Sequence, residues 1–93
     1  MLFRSVDAIY LTICLDAFPA SVAPGVSAPA ARGIEVAMVE WLIDYLRDSR
    51  RLIVAEVAEL NPQFDQDGRT AKLAARLLVR CAGGADYADT TLN

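Results

Sequence analysis

The stretch Tyr10–Pro29, YLTICLDAFPASVAPGVSAP, constrains the fold of this chain more than any other. An apolar run from Ala8 to Leu15 stops at Asp16, and Pro19, Pro24, Gly25 and Pro29 follow. A short apolar run bounded by turn residues and holding β-branched Thr12 and Ile13 reads as a buried strand. The prolines fix φ and the glycine opens backbone conformations closed to other residues, so the loop Asp16–Gly33 is expected to hold a definite shape. Long ordered loops of this kind are usually functional. In open α/β sheets, ligands gather just past the carboxyl ends of strands, which puts Asp16 where a ligand is expected. Arg4 ahead of the run gives it the outline of a secretory signal, but Asp7 and Asp16 bracket only Ala8–Leu15 and Thr12 interrupts that. It is read as a strand, and no stretch approaches the roughly 18 apolar residues of a membrane span.

Downstream, a helix is expected over Ile34–Ser49, with Ile34, Met38, Trp41, Leu42 and Tyr45 on one side. Glu40, Asp44, Arg47, Asp48 and Arg51 share the other side, which reads as a solvated face. A second strand-like run, Leu52–Leu60, is rich in Val, Ile and Ala, and Asn61-Pro62 ends it because proline cannot continue a ladder. Asp65 and Asp67 read as turn carboxylates near a helix N-terminus, and Thr70 as the N-cap of a last helix, Ala71–Ala82. Leu73, Ala74, Leu77, Leu78 and Cys81 form its buried stripe, Gly83-Gly84 stops it, and Ala85–Asn93 is expected to fray. Strand, helix, strand, helix is the repeating unit of a parallel α/β sheet with right-handed crossovers. Two parallel strands make a poor independent domain because each outer edge is left unpaired. Residues 1–93 are therefore read as a single partial domain.

Composition removes several function classes. The net charge is −3 and the nine basic residues form no dense patch, so a nucleic-acid surface is not expected. Cys14 and Cys81 share no metal-ligand spacing and read as reduced thiols of a cytoplasmic protein, Cys14 within the strand core. The sequence contains no histidine. That removes the commonest general base, the commonest zinc ligand and every Ser-His or Cys-His nucleophile pair.

Three segments carry a resemblance. Tyr10–Pro29 with its continuation to Gly33 is similar to the C-terminal metal-binding motif of the arginase, agmatinase and formimidoylglutamase family, the ureohydrolases, in which a strand of the form S/T-I-D-x-D runs into an Ala-Pro-Gly loop. The wording APGVSAPAARG, Ala23–Gly33, is nearest the formimidoylglutamase branch. Glu59-Leu60-Asn61-Pro62 resembles the family's E-[ILV]-[NS]-P motif, and Asp65–Arg76, DQDGRTAKLAAR, resembles the opening of its last helix. The resemblance implies a strand-helix-strand-helix C-terminal unit of a three-layer, parallel-sheet arginase-like α/β fold.

It also implies a chemistry. The family hydrolyses guanidino or formimino C–N bonds with two manganese ions that activate a bridging water. Asp16 matches the second aspartate of the strand motif and would be a hard oxygen ligand to manganese. Glu59 matches the glutamate that faces the cationic amidine end of the substrate, a charge-assisted contact. Cys14 stands where the family pattern has aspartate. A thiolate is softer than manganese prefers, so either this branch tolerates a changed metal site or the site is damaged. The family's remaining ligands lie in G-G-D-H-like and D-A-H-x-D-like motifs, and this chain has neither. The expectation is a C-terminal fragment of a formimidoylglutamase-like hydrolase, which converts N-formimino-L-glutamate to glutamate and formamide in histidine degradation. The fragment would be inactive alone, would act on a small molecule only in its parent, and could belong to an oligomer. An arginase or agmatinase fragment is the near alternative. A non-catalytic α/β interaction module that folds on a partner is the reading from another class.

Overall fold

In a computed structural model the described residues are 6–83. The elements run β1 (Ile9–Cys14), a 3₁₀ turn (Leu15–Ala17), α1 (Val36–Asp48), β2 (Leu52–Ala58), a 3₁₀ turn (Pro62–Phe64) and α2 (Arg69–Cys81). β1 and β2 pair in parallel, Tyr10 opposite Val54 and Cys14 opposite Ala58, with an irregularity between Ile9 and Tyr10. The expected order and parallel pairing stand, and both helices start and stop within two residues of their sequence limits.

Period-two alternation divides the sheet. Ile13 faces inward with Leu11 and Val57 beside it, and Ile43 of α1 and Leu73 and Leu77 of α2 pack on that same face. Tyr10, Thr12 and Cys14 point the other way and are exposed. A buried strand of a parallel α/β sheet is expected to be covered on both faces. Within the described residues only one face is covered, because both helices lie on it. Cys14 is accordingly exposed and not in a strand core. On the open face the Thr12 hydroxyl donates to Glu56 Oε1 at 3.0 Å. A hydrogen bond with Glu56, aided by some desolvation, raises the exposed Tyr10 phenol above its ordinary pKa.

α1 corrects the sequence reading most. The stripe expected to be buried is the outer one, with Met38 65% and Trp41 63% exposed and Ile34, Leu42 and Tyr45 also exposed. Ile43 and Leu46 are buried instead, and Val36 and Val39 pack against the core. The physical reason lies on α2. Arg76 Nε donates to Glu40 Oε2 at 2.6 Å, and Arg80 donates to both carboxylate oxygens of Asp44, at 3.0 and 2.8 Å. The charged side of α1 thus flanks its packed side, and the two helices are joined by ion pairs along that flank. The Arg80 hydrogen bond holds the Asp44 carboxyl below the usual range, against partial desolvation. Outside, the rings of Trp41 and Tyr45, one helical turn apart, stack with centroids 5.4 Å apart.

Leu73 and Leu77 are buried in α2 as expected, while Leu78 is exposed. Gly83 has φ +86, the left-handed conformation that ends a helix after its cap. Gly84 and the expected frayed tail, Ala85–Asn93, lie outside the described residues.

Candidate functional site

The loop between β1 and α1 folds back on itself as an Ω-loop, a compact segment whose ends meet. Ala17 O accepts from Ile34 N–H at 2.8 Å, Ala20 N–H donates to Ala30 O at 2.9 Å, and Pro19 bridges to Ala30. Phe18, Ala23 and Val26 fill the interior at no more than 1% exposure. The root closes only because Gly33 has no side chain. A Cβ there would stand 2.4 Å from Pro19 N and 2.5 Å from Phe18 C, and its φ is +70. The expectation of a definite loop shape therefore stands, and Gly33 is one of its causes.

This loop starts at Asp16. Half-buried in the 3₁₀ turn that ends β1, Asp16 follows exposed Cys14 with buried Leu15 between them. Glu59 leaves the end of β2, and the Cys14–Ala58 pairing brings it level with the root of the loop. All three sequence-derived site residues are thus at the carboxyl end of the sheet. They are not drawn into a metal-binding group: among the described residues no cluster of three or more His, Cys, Asp or Glu is arranged to hold an ion. The donors present, one half-buried carboxylate and one exposed thiol, do not fit a two-metal centre.

Glu59 is exposed and sits at φ +76, a conformation that glycine, asparagine or aspartate usually occupies. Such strain persists only where surrounding contacts impose it, and it concentrates at functional positions. Two residues further on, Asn61 is tied to the loop and to its own turn. Its N–H donates to Gly25 O at 2.6 Å, its Oδ1 accepts from Gln63 N–H at 3.1 Å, and its Nδ2 donates to Ser27 Oγ at 2.9 Å. Nothing in the sequence marks Glu59 as left-handed, but the following Asn-Pro pair marks the turn that makes it so.

Thr70 was expected to cap α2. The cap position is Gly68, at φ +68, and the capping group is the Asp65 carboxylate. Asp65 accepts from Thr70 N–H at 2.8 Å, Ala71 N–H at 3.1 Å and Gln66 N–H at 2.9 Å. Partial desolvation pushes the Asp65 carboxyl up, but these hydrogen bonds together outweigh it and hold the carboxyl below the ordinary aspartate range. The Thr70 hydroxyl, fully buried, accepts instead from Gly25 N–H at 2.8 Å. Pro24, Val26, Ser27, Pro29, Phe64 and Gln66 line an open cleft of ≈ 320 Å³ beside this contact.

Known proteins resemble this chain over most of its length. A sequence model of the Arginase family matches residues 2–83. The formimidoylglutamase of Ralstonia nicotianae is 56% identical over 79 residues, a match covering 85% of this chain and 24% of that protein. The formimidoylglutamase of Aeromonas hydrophila is 58% identical over 72 residues, covering 77% of this chain and 23% of that protein. The arginase of Bacillus subtilis superposes with a TM-score of 0.79 at 30% identity, over 85% of this chain and 30% of that structure. The chain spans about a quarter of the length of the curated relatives it matches.

Proposed function

The chain belongs to the arginase family, and we propose that it is one part of a formimidoylglutamase-like hydrolase, a partial domain that contributes Asp16 and Glu59 to a site completed elsewhere. The observation that carries this reading is the identity to formimidoylglutamases over 85% of the chain, with both carboxylates at the strand ends where an α/β site forms. Asp16 is the carboxylate offered to a metal ion, manganese by the preference of hard ions for oxygen donors. Glu59, fixed in an unusual backbone conformation, is the carboxylate offered to the cationic amidine end of N-formimino-L-glutamate. Cys14 stands beside them as a soft donor where the family pattern has aspartate, ill matched to manganese. No reaction step is assigned to this chain alone, because the donors among its described residues do not make a metal centre. No helix among the described residues is long and apolar enough to cross a membrane; a cytoplasmic location belongs to the proposal.

Two assays test it. The purified chain with manganese and N-formimino-L-glutamate should release no formamide above a metal-only blank. Mixed or co-expressed with the Ralstonia nicotianae enzyme lacking its matching segment, the chain should restore formamide release. Asp16→Ala should then cost roughly a hundredfold or more, since outer partners of metal ligands alone are worth 10–100-fold. Turnover by the chain alone, or restoration indifferent to Asp16, would overturn the reading.

The exposed Met38–Trp41–Tyr45 stripe favours a second reading, a non-catalytic α/β module that docks on a partner. A well-folded soluble homo-oligomer by size exclusion and circular dichroism, with no restored activity, is the outcome that selects it.

A further inference from the structure

Asp65 caps the first amides of α2, and the buried Thr70 hydroxyl, which also hydrogen-bonds the Asp65 carboxylate, accepts from the loop. The tip of the Ω-loop is held at two points: Gly25 N–H on Thr70 Oγ1 at 2.8 Å, and Gly25 O on Asn61 N–H at 2.6 Å. Asn61 Nδ2 adds a bond to Ser27 at 2.9 Å. This approach demands glycine at position 25, where a Cβ would stand 2.8 Å from Asp65 Cβ and 2.9 Å from Thr70 Oγ1. The held segment has Asp16 at its root and Glu59 two residues before Asn61.

We propose that Thr70 and Asn61 are positioning residues: by clamping the tip of the Ω-loop to the segment after β2, they fix Glu59 in its strained conformation and hold the root of the loop at Asp16. The inference rests on the reading of those two carboxylates as site residues. The effect of Thr70 and Asn61 passes through Gly25, a residue whose two backbone polar groups are both taken up by the clamp. A valine at position 70 would match threonine in shape and lack the acceptor, leaving the Gly25 amide unsatisfied.

The test is amide hydrogen exchange by nuclear magnetic resonance on the full chain, with the backbone coupling of Glu59 as the reporter of its positive φ. In the wild type the Gly25 amide should be protected. Thr70→Val should speed its exchange roughly tenfold to a hundredfold and shift the Glu59 coupling, and Thr70→Ser should restore both. Should Thr70→Val fail to fold, Asn61→Ala, which removes only the exposed bond to Ser27 and the turn contact, must shift the Glu59 coupling by itself. An unprotected Gly25 in the wild type, no rescue by serine, or a Glu59 coupling indifferent to both variants overturns the inference. Formamide release in the complemented Ralstonia nicotianae enzyme separates this from the site reading. No restoration by the wild-type chain, with the Gly25 amide protected, removes the site role and leaves the clamp. Full restoration by Thr70→Val, with the Gly25 amide released, removes the positioning role and leaves the site.

Discussion

Around the Ω-loop, Phe18, Ala23 and Val26 are buried to within 1%, whereas on the outer side of α1 Met38 and Trp41 remain 65% and 63% exposed. Both regions are apolar, and both are bounded by charged residues. They differ in what the chain itself provides to cover them. The loop meets the end of β1, the segment after β2 and the start of α2, and its amides find partners there. The outer stripe of α1 and the open sheet face, with Tyr10, Thr12 and Cys14, meet nothing among the described residues that buries them. A small unit that packs one side and leaves another bare has an apolar surface to offer, as the proposed partial-domain reading expects. The clefts along its sheet edges say the same: ≈ 150 Å³ beside β1, where Leu11 and Phe18 meet Ile34 and Leu42, and ≈ 200 Å³ beside β2, where Ile53 meets Leu78.

This contrast can be broken from either side. The largest effect is expected from Phe18→Ala, which empties the centre of the packed region and should cost about 3–5 kcal/mol, read as loss of a cooperative melt by circular dichroism. Gly33→Ala comes next. A methyl group 2.4 Å from Pro19 N, at φ +70, must force the loop root apart, at about 1–3 kcal/mol in the same melt. The third is a pH effect. Asp65 has its carboxyl depressed in the folded chain, so its contribution is complete above the ordinary aspartate value of about 3.9 and is lost as pH falls through the depressed value. Asp65→Asn should flatten the acid limb of a melting-temperature profile between neutral pH and pH 2. An unchanged acid limb would mean that the cap is not formed. The smallest effect is expected from Trp41→Ser, within about 0.5 kcal/mol for the chain alone, because the indole is mostly exposed. A large loss there would show that the outer stripe is covered after all.

How far the sequence could be read follows the same division. The strand ending at Asp16, the ordered loop and the parallel order were legible because prolines, glycines and a short apolar run act locally. The faces of α1 were not, because that helix is apolar on two sides. Val36, Val39, Ile43 and Leu46 repeat with nearly the same spacing as Met38, Trp41, Leu42 and Tyr45, and periodicity alone cannot say which set turns inward. The choice is made across the helix pair, by Arg76 and Arg80 meeting Glu40 and Asp44, a contact 36 residues apart in the chain. The candidate site was half legible. Asp16, Cys14 and Glu59 could be picked from motifs, but the left-handed Glu59, the Thr70 hydroxyl turned to Gly25 and the closing role of Gly33 depend on long-range approach. Asp65 as the cap of α2 had a visible signal, an acidic residue a few positions before the helix, yet Thr70 stood nearer and drew the assignment.

The pinched neck of the loop has a consequence for how such a chain can change. Because Ala17 and Ile34 sit side by side, the path leaves the strand and rejoins the helix at almost one point, as a purse is drawn shut. Residues could be added to or removed from the outward arc between Ser27 and Pro29, beyond the clamp at Gly25, without moving the axis of α1 against the sheet. On the proposed reading of the site, ligand preference could therefore drift by reshaping that arc, while Asp16 and Glu59 at its anchorage stay where they are.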